Sequence, residues 1–152
     1  MSVTHEDPET APADVTGAVL AILRLYRGLE CVPAGLTPSQ YRIMKLAAAG
    51  GERSTRLAQR LAVAKPTLTA IADGLVAAGH ATREAEPGDR RVVRLALTPA
   101  GRDALRRADA AYAAWLDPIL ASTGEPAMVL RAVDLLDEAL TGTRRARQTG
   151  AE

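Results

Sequence analysis

The chain has 152 residues, 47% of them hydrophobic and 24% charged, with a formal net charge of +1. That length suits one domain with a working core, and an apolar set without Phe, dominated by Ala, Leu and Val, favours helix over strand. The single Cys31 excludes an internal disulfide framework, and no basic start with an apolar stretch precedes Asp14, so the expectation is a reducing, cytoplasmic setting without a membrane span.

Residues 1–12 are polar, acidic and broken by proline, which predicts a flexible N-terminal tail. Val15, Ala18, Val19, Ile22, Leu25, Tyr26 and Leu29 recur at helical spacing and predict an amphipathic first helix ending before Pro33 and Gly35. Thr37 is placed to cap a second helix. Its hydroxyl can accept from an early amide, Pro38 suits the first turn, and Tyr41, Ile43, Met44, Leu46 and Ala47 form the buried side up to Gly50-Gly51.

A third helix is predicted from Ser54, with Leu57, Ala58 and Leu61 on one face. A fourth carries Leu68, Ile71, Ala72 and Leu75 on one face, with Val63 at the corner between the two. Two short helices around a tight turn follow helix-turn-helix logic. Pro66 suits the first turn of the fourth helix and Gly79 its C-terminal cap, while Lys65, Thr67, Thr69, Ala70 and Asp73 occupy the opposite face. Helix pairs of this kind also occur in proteins that never touch nucleic acid.

In HATREAEPGDRRVVRLALTPAGR two alternating runs flank a charged Pro-Gly turn, predicting a β-hairpin in which Val93, Leu95 and Leu97 share one face and Val92, Arg94 and Ala96 the other. Thr98-Pro99 opens a further helix. Leu105, Ala108, Tyr112, Trp115, Ile119 and Leu120 stripe that helix, and Val129, Leu130, Val133, Leu135, Leu136 and Leu140 make the last one apolar nearly all round. Such surplus apolar surface on terminal helices favours a partner chain over ordinary intrachain core.

Charge is unevenly distributed. Residues 53 to 107 hold eleven Arg and Lys against five Asp and Glu, whereas residues 108 to 143 hold one Arg and six acids. A basic middle between acidic ends is the footprint of a central nucleic-acid-binding lobe or of a solvated basic surface.

The segment LAQRLAVAKPTLTAIADGLVAAGHATREAEPGDRRVVRLALTPAGR resembles the core of the MarR family. It has a Leu-Ala pair ahead of the recognition helix, a Thr-apolar-Thr run within it, Asp-Arg-Arg in the wing and Leu-Thr-x-x-Gly opening the next helix. The resemblance implies a mainly α fold with a small β-hairpin wing, a winged helix-turn-helix lobe plus a helical dimerisation region. Its implied boundaries are an N-terminal dimerisation helix at 13–36, a DNA-binding lobe at 37–98, C-terminal dimerisation helices at 99–142 and a tail at 143–152.

By the same resemblance the protein is a homodimer that places two recognition helices about 34 Å apart on a pseudo-palindromic double-stranded operator. The resemblance further implies a repressor released by a small aromatic or phenolic effector. Lys65, Thr67 and Thr69 face the bases. Arg90 and Arg91 enter the minor groove, where a narrow, electronegative channel attracts guanidinium, and Asp89 with Arg91 matches the family's Asp-x-Arg. Arg53, Arg56, Arg60 and Arg94 contact the backbone. Tyr26, Arg27, Tyr41 and Trp115 come from helices that border the family's effector pocket, where an Arg beside aromatics suits a carboxylate; core packing is the plainer account of each.

Two positions depart from the family. Ala70 stands where many members carry Arg, and Ala64 where a capping Ser is common. Cys31 has no resolving partner and reads as a buried or idle thiol, and His5, His80 and Cys31 make no metal site. No cofactor is expected. No Ser/His/Asp set, phosphate loop or HExxH motif is present, so an enzyme is not expected; the alternative is a winged-helix protein-interaction module without specific DNA binding.

Overall fold

A computed structural model of the chain describes residues 14–49, 64–86 and 89–149. In order it contains α1 (Val15–Cys31), α2 (Pro38–Ala48), α3 (Lys65–Ala77), β1 (Ala81–Glu86), β2 (Asp89–Leu97), α4 (Pro99–Ser122) and α5 (Pro126–Thr149). The fold is mainly helical with one two-stranded antiparallel sheet, as the sequence predicts. The expected tail at 1–12 and the helix expected from Ser54, with Leu57, Ala58, Leu61 and Val63, lie outside the described residues. The fourth helix expected from sequence is therefore α3.

The helix ends follow from short polar side chains. Asp14 caps α1 by accepting from the Thr16 and Gly17 amides at 3.0 and 3.2 Å, satisfying two donors that the first turn leaves orphaned. At α2 the Thr37 hydroxyl accepts from the Gln40 amide at 3.2 Å while the Gln40 side-chain oxygen accepts from the Thr37 amide at 2.9 Å. This reciprocal capping box is a stronger start than the Thr37 cap read from sequence, and Pro38 occupies the first turn as expected.

The chain divides after Ala111 into two compact units. In the first, Ile43, Met44 and Ala47 of α2, Leu68, Ala72 and Leu75 of α3, Ala81 and Leu95 of the hairpin, and Ala104, Leu105 and Ala108 of α4 form the core, joined by Ala34 and Leu36. Burying side chains of this size stabilises by roughly 1.5 to 3 kcal/mol each for the larger ones. The helical face predicted for α3 is the buried one, with Ile71 half-buried at its margin.

The second unit holds the end of α4 and all of α5. They are joined by a turn in which Gly124 takes φ of 74°, a left-handed conformation that glycine adopts without a Cβ penalty. The Thr123 hydroxyl accepts from the Glu125 amide at 3.3 Å as α5 begins. Helix α5 runs through Gly142 to Thr149; a glycine costs a helix only about 1 kcal/mol, which is too little to end one. Among the described residues no helix is long and apolar enough to cross a membrane.

Candidate nucleic-acid interface

Helix α3 has 13 residues, so it is about 20 Å long and can lie in a groove. With Leu68, Ala72 and Leu75 turned inward, Pro66, Thr67, Thr69, Ala70 and Asp73 are left for the remaining surface, where Thr67, Thr69, Ala70 and Asp73 are exposed. Ala64 is the N-cap residue and makes no side-chain cap bond, so the departure seen in sequence has a structural consequence. Lys65 and Asp73 are the only charged residues in the helix, which therefore carries no net charge.

The C-terminal end of α3 is fastened to the wing. Ala78 ends the helix, Gly79 takes φ of 72°, the Gly79 amide donates to the Val76 carbonyl, and the His80 amide donates to the Leu75 carbonyl, both at 2.9 Å. This is a Schellman arrangement, and it turns the chain directly into β1.

Thr98, just past β2, then joins three segments. Its amide donates to the His80 carbonyl at 3.1 Å, its hydroxyl donates to the Gly79 carbonyl at 2.7 Å, and the same hydroxyl accepts from the Gly101 amide at 2.9 Å. Gly101 lies so close to His80 that an added Cβ would sit 1.8 Å from the His80 carbonyl oxygen. The Leu-Thr-x-x-Gly run visible in the sequence is thus a clasp holding α3, the hairpin and α4 together.

The hairpin pairs Ala81 with Leu97, Thr82 with Ala96, Arg83 with Leu95, Glu84 with Arg94 and Ala85 with Val93; the next pair is Glu86 with Asp89. Arg90, Arg91 and Val92 therefore fall between successive pairs, in a bulge that interrupts the ladder. Such bulges bend a strand and re-aim its residues.

Of the residues expected to contact DNA, Thr67 and Thr69 are exposed on α3 and Arg94 is half-buried on β2, in register with Glu84. Lys65 opens α3 and Asp89, Arg90 and Arg91 lie at the start of β2, but their side chains are outside the described set. Arg53, Arg56 and Arg60 also lie outside the described residues. A contact not anticipated from sequence joins α3 to the wing: Arg83 Nη2 lies 2.6 Å from Asp73 Oδ1.

A second cluster lies between α2 and α4. The Tyr41 hydroxyl donates to Asp109 Oδ1 at 2.6 Å, and Lys45 Nζ lies 2.9 Å from the same oxygen and 5.6 Å from the centre of the Tyr41 ring. Burial pushes the Asp109 carboxyl up, but hydrogen bonds from Lys45 and Tyr41 and the Lys45 charge outweigh it and hold the group below its ordinary value.

Tyr41 is thus the one expected effector residue with a described polar network. Tyr26 is exposed on α1, Arg27 pairs with Glu30 of its own helix at 3.0 Å, and Trp115 is half-buried in the second unit. Cys31 is a free thiol and is exposed rather than buried, and His80 Nδ1 is buried without a hydrogen-bond partner.

A helix with an exposed polar face, a hairpin clasped to its end and a following helix define a winged helix-turn-helix protein. The MarR family model matches residues 34–92, from just before α2 into the first part of β2. A transcriptional repressor, CouR, bound to a 23-mer DNA duplex is 31% identical over 84% of this chain and 89% of its own, with a TM-score of 0.67. NadR in complex with 4-hydroxyphenylacetate is 27% identical over 91% of this chain and 97% of its own, with a TM-score of 0.67. Wild-type MarR from E. coli, in its apo form, shares the fold at 22% identity and a TM-score of 0.70, covering 87% of this chain and 99% of its own. No match was found among curated proteins. The chain belongs to the MarR family, whose members regulate transcription and are not enzymes.

Proposed function

We propose that this protein is a cytoplasmic, dimeric repressor that binds a pseudo-palindromic duplex operator and is released by a small aromatic acid. The observation that carries the DNA side is the exposed polar face of α3, clasped through Thr98 and Gly101 to a wing whose bulge holds Arg90 and Arg91. In this reading Lys65, Thr67 and Thr69 meet the major groove, Arg90 and Arg91 reach the minor groove next to Asp89, and Arg53, Arg56 and Arg94 contact phosphates.

Dimerisation is supported by apolar side chains left exposed on α1 (Val15, Val19, Leu20, Ile22, Leu23) and on α5 (Met128, Leu130, Val133, Leu135, Leu136, Leu140). Large apolar side chains exposed in this number on each helix favour burial against a partner, and in this reading residues 13–36 and 99–142 make the interface. The effector side rests on Tyr26, Arg27, Tyr41 and Trp115 and on the ligand of NadR. A carboxylate that uses the Tyr41 hydroxyl has to replace Asp109 there.

The deciding experiment is an anisotropy titration of the protein against duplex DNA from upstream of its own gene, over a range of salt, with and without phenolic acids. The proposal expects affinity that falls steeply with salt and DNA release by at least one acid. The absence of net charge on α3 favours a second reading, a winged-helix protein-interaction module, and salt-insensitive or absent duplex binding would select it.

A further inference from the structure

We propose that Asp73 is a built-in competitor for DNA phosphate, holding Arg83 on the wing so that Arg83 contacts the phosphate backbone only when duplex DNA displaces it. The inference rests on the DNA-binding reading above and adds two residues to it. It begins with the position of Asp73, whose carboxylate is exposed on the same side of α3 as Thr69 and Ala70. A carboxylate on a surface that approaches a polyanion repels it, unless a cation compensates.

The compensating cation is on the neighbouring strand. Arg83 is the only basic residue of β1, which also carries Glu84 and Glu86, and its guanidinium spans to Asp73 at 2.6 Å. The two side chains are 44% and 56% exposed, so the pair sits in water-like surroundings and is cheap to separate. A phosphate offers the same guanidinium an acceptor of equal charge with bidentate geometry, and counterions released from the duplex add to the gain.

The alternative, that the pair is a brace needed for binding, is weaker on magnitude. The base of the wing is already fixed by the Schellman turn and the Thr98 and Gly101 contacts, all of them made with backbone groups. An exposed ion pair adds little rigidity to that. Its removal changes charge at the interface far more than it changes geometry.

The test uses the full chain and a labelled duplex of mixed sequence, because a phosphate contact carries no sequence information. Asp73→Asn is expected to bind about threefold to tenfold more tightly, and Arg83→Gln to bind more weakly by a similar factor with a salt slope smaller by about one. The double variant is expected to fall near Arg83→Gln, since most of the gain from Asp73→Asn passes through Arg83. Melting curves of all variants should match the wild type, as suits an exposed pair. Wild-type affinity that is salt-sensitive, with Asp73→Asn unchanged or weaker, overturns the competitor role and selects the brace. Arg83→Gln binding as tightly as wild type removes Arg83 from the interface. Wild-type protein with no salt-dependent duplex binding overturns the DNA-binding reading itself, and the proposal with it.

Discussion

Replacing Gly101 by alanine tests whether the clasp at the base of the wing is as tight as its geometry implies. The new Cβ would lie 1.8 Å from the His80 carbonyl oxygen and 2.8 Å from its carbonyl carbon, whereas contacts below 3.0 Å are not sustained, so the two backbones must separate by about 1.2 Å. The Thr98 amide bond to the same His80 oxygen, 3.1 Å long, then lengthens or rotates away. Overpacking costs about 1 to 3 kcal/mol and a lost hydrogen bond about 1, against which alanine's better helix propensity returns about 1. A net loss of about 1 to 3 kcal/mol lowers the melting temperature by roughly 2 to 12 °C in a domain of this size. The matching control is Gly74→Ala in α3, where a Cβ meets nothing within 4 Å and the propensity gain should stand alone. Thermal unfolding followed by circular dichroism at fixed protein concentration measures both. A Gly101→Ala variant that melts at or above the wild-type temperature would refute the close approach.

Three further outcomes are expected. Ala64→Ser supplies an acceptor for the Thr67 amide at the uncapped start of α3 and should stabilise by about 1 kcal/mol, visible as a higher urea midpoint with unchanged slope; an unchanged midpoint counts against the uncapped start. Asp109, held below its ordinary value by Lys45 and Tyr41, contributes stability that is present at neutral pH and lost as pH falls through its depressed folded value. The advantage of wild type over Asp109→Asn should therefore shrink below about pH 4, and a gap that stays constant into acid contradicts the network. Arg91→Ala should weaken duplex binding by about 1 to 3 kcal/mol while leaving the melting temperature nearly unaltered, and equal affinity in the variant removes the wing from the interface.

Local patterns make much of this fold readable. The 3.6-residue apolar spacing of α3, the Thr37-Pro38 start of α2 and the Gly79 cap are each decided within a few residues, so propensity, capping and burial agree with the final structure. Contacts between distant segments are not readable in the same way. Asp109 meets Tyr41 across 68 positions, and nothing in either local sequence names the other. Asp73 and Arg83 are only ten residues apart, yet their meeting depends on how sharply Gly79 turns the chain between helix and strand. The Leu-Thr-x-x-Gly run is visible as a pattern, but its reason, a helix start with no room for a Cβ, needs the position of the His80 carbonyl. The bulge is likewise hidden, because the sequence reads as regular alternation through Val92 and Val93 while the ladder jumps from Ala85–Val93 to Glu86–Asp89.

The end of α3 therefore brings together two kinds of contact with different tolerances. The clasp is made from the Thr98 hydroxyl and backbone groups at 2.7 to 3.1 Å and a glycine with no spare space, so a shift of about 1 Å breaks several interactions together. The Asp73–Arg83 pair is exposed on both sides and worth at most about 1 kcal/mol, so it can exchange partners at little cost. A lobe built in this way keeps the angle between α3 and the hairpin fixed while side-chain charges at its surface rearrange. On the proposed DNA-binding reading, adjustment to different duplexes falls to side chains such as Arg83 and to the bulge at Arg90–Val92, where the ladder is interrupted. If the protein acts as the effector-released dimer proposed above, a fixed angle between α3 and the hairpin favours a response in which each lobe moves as a whole body.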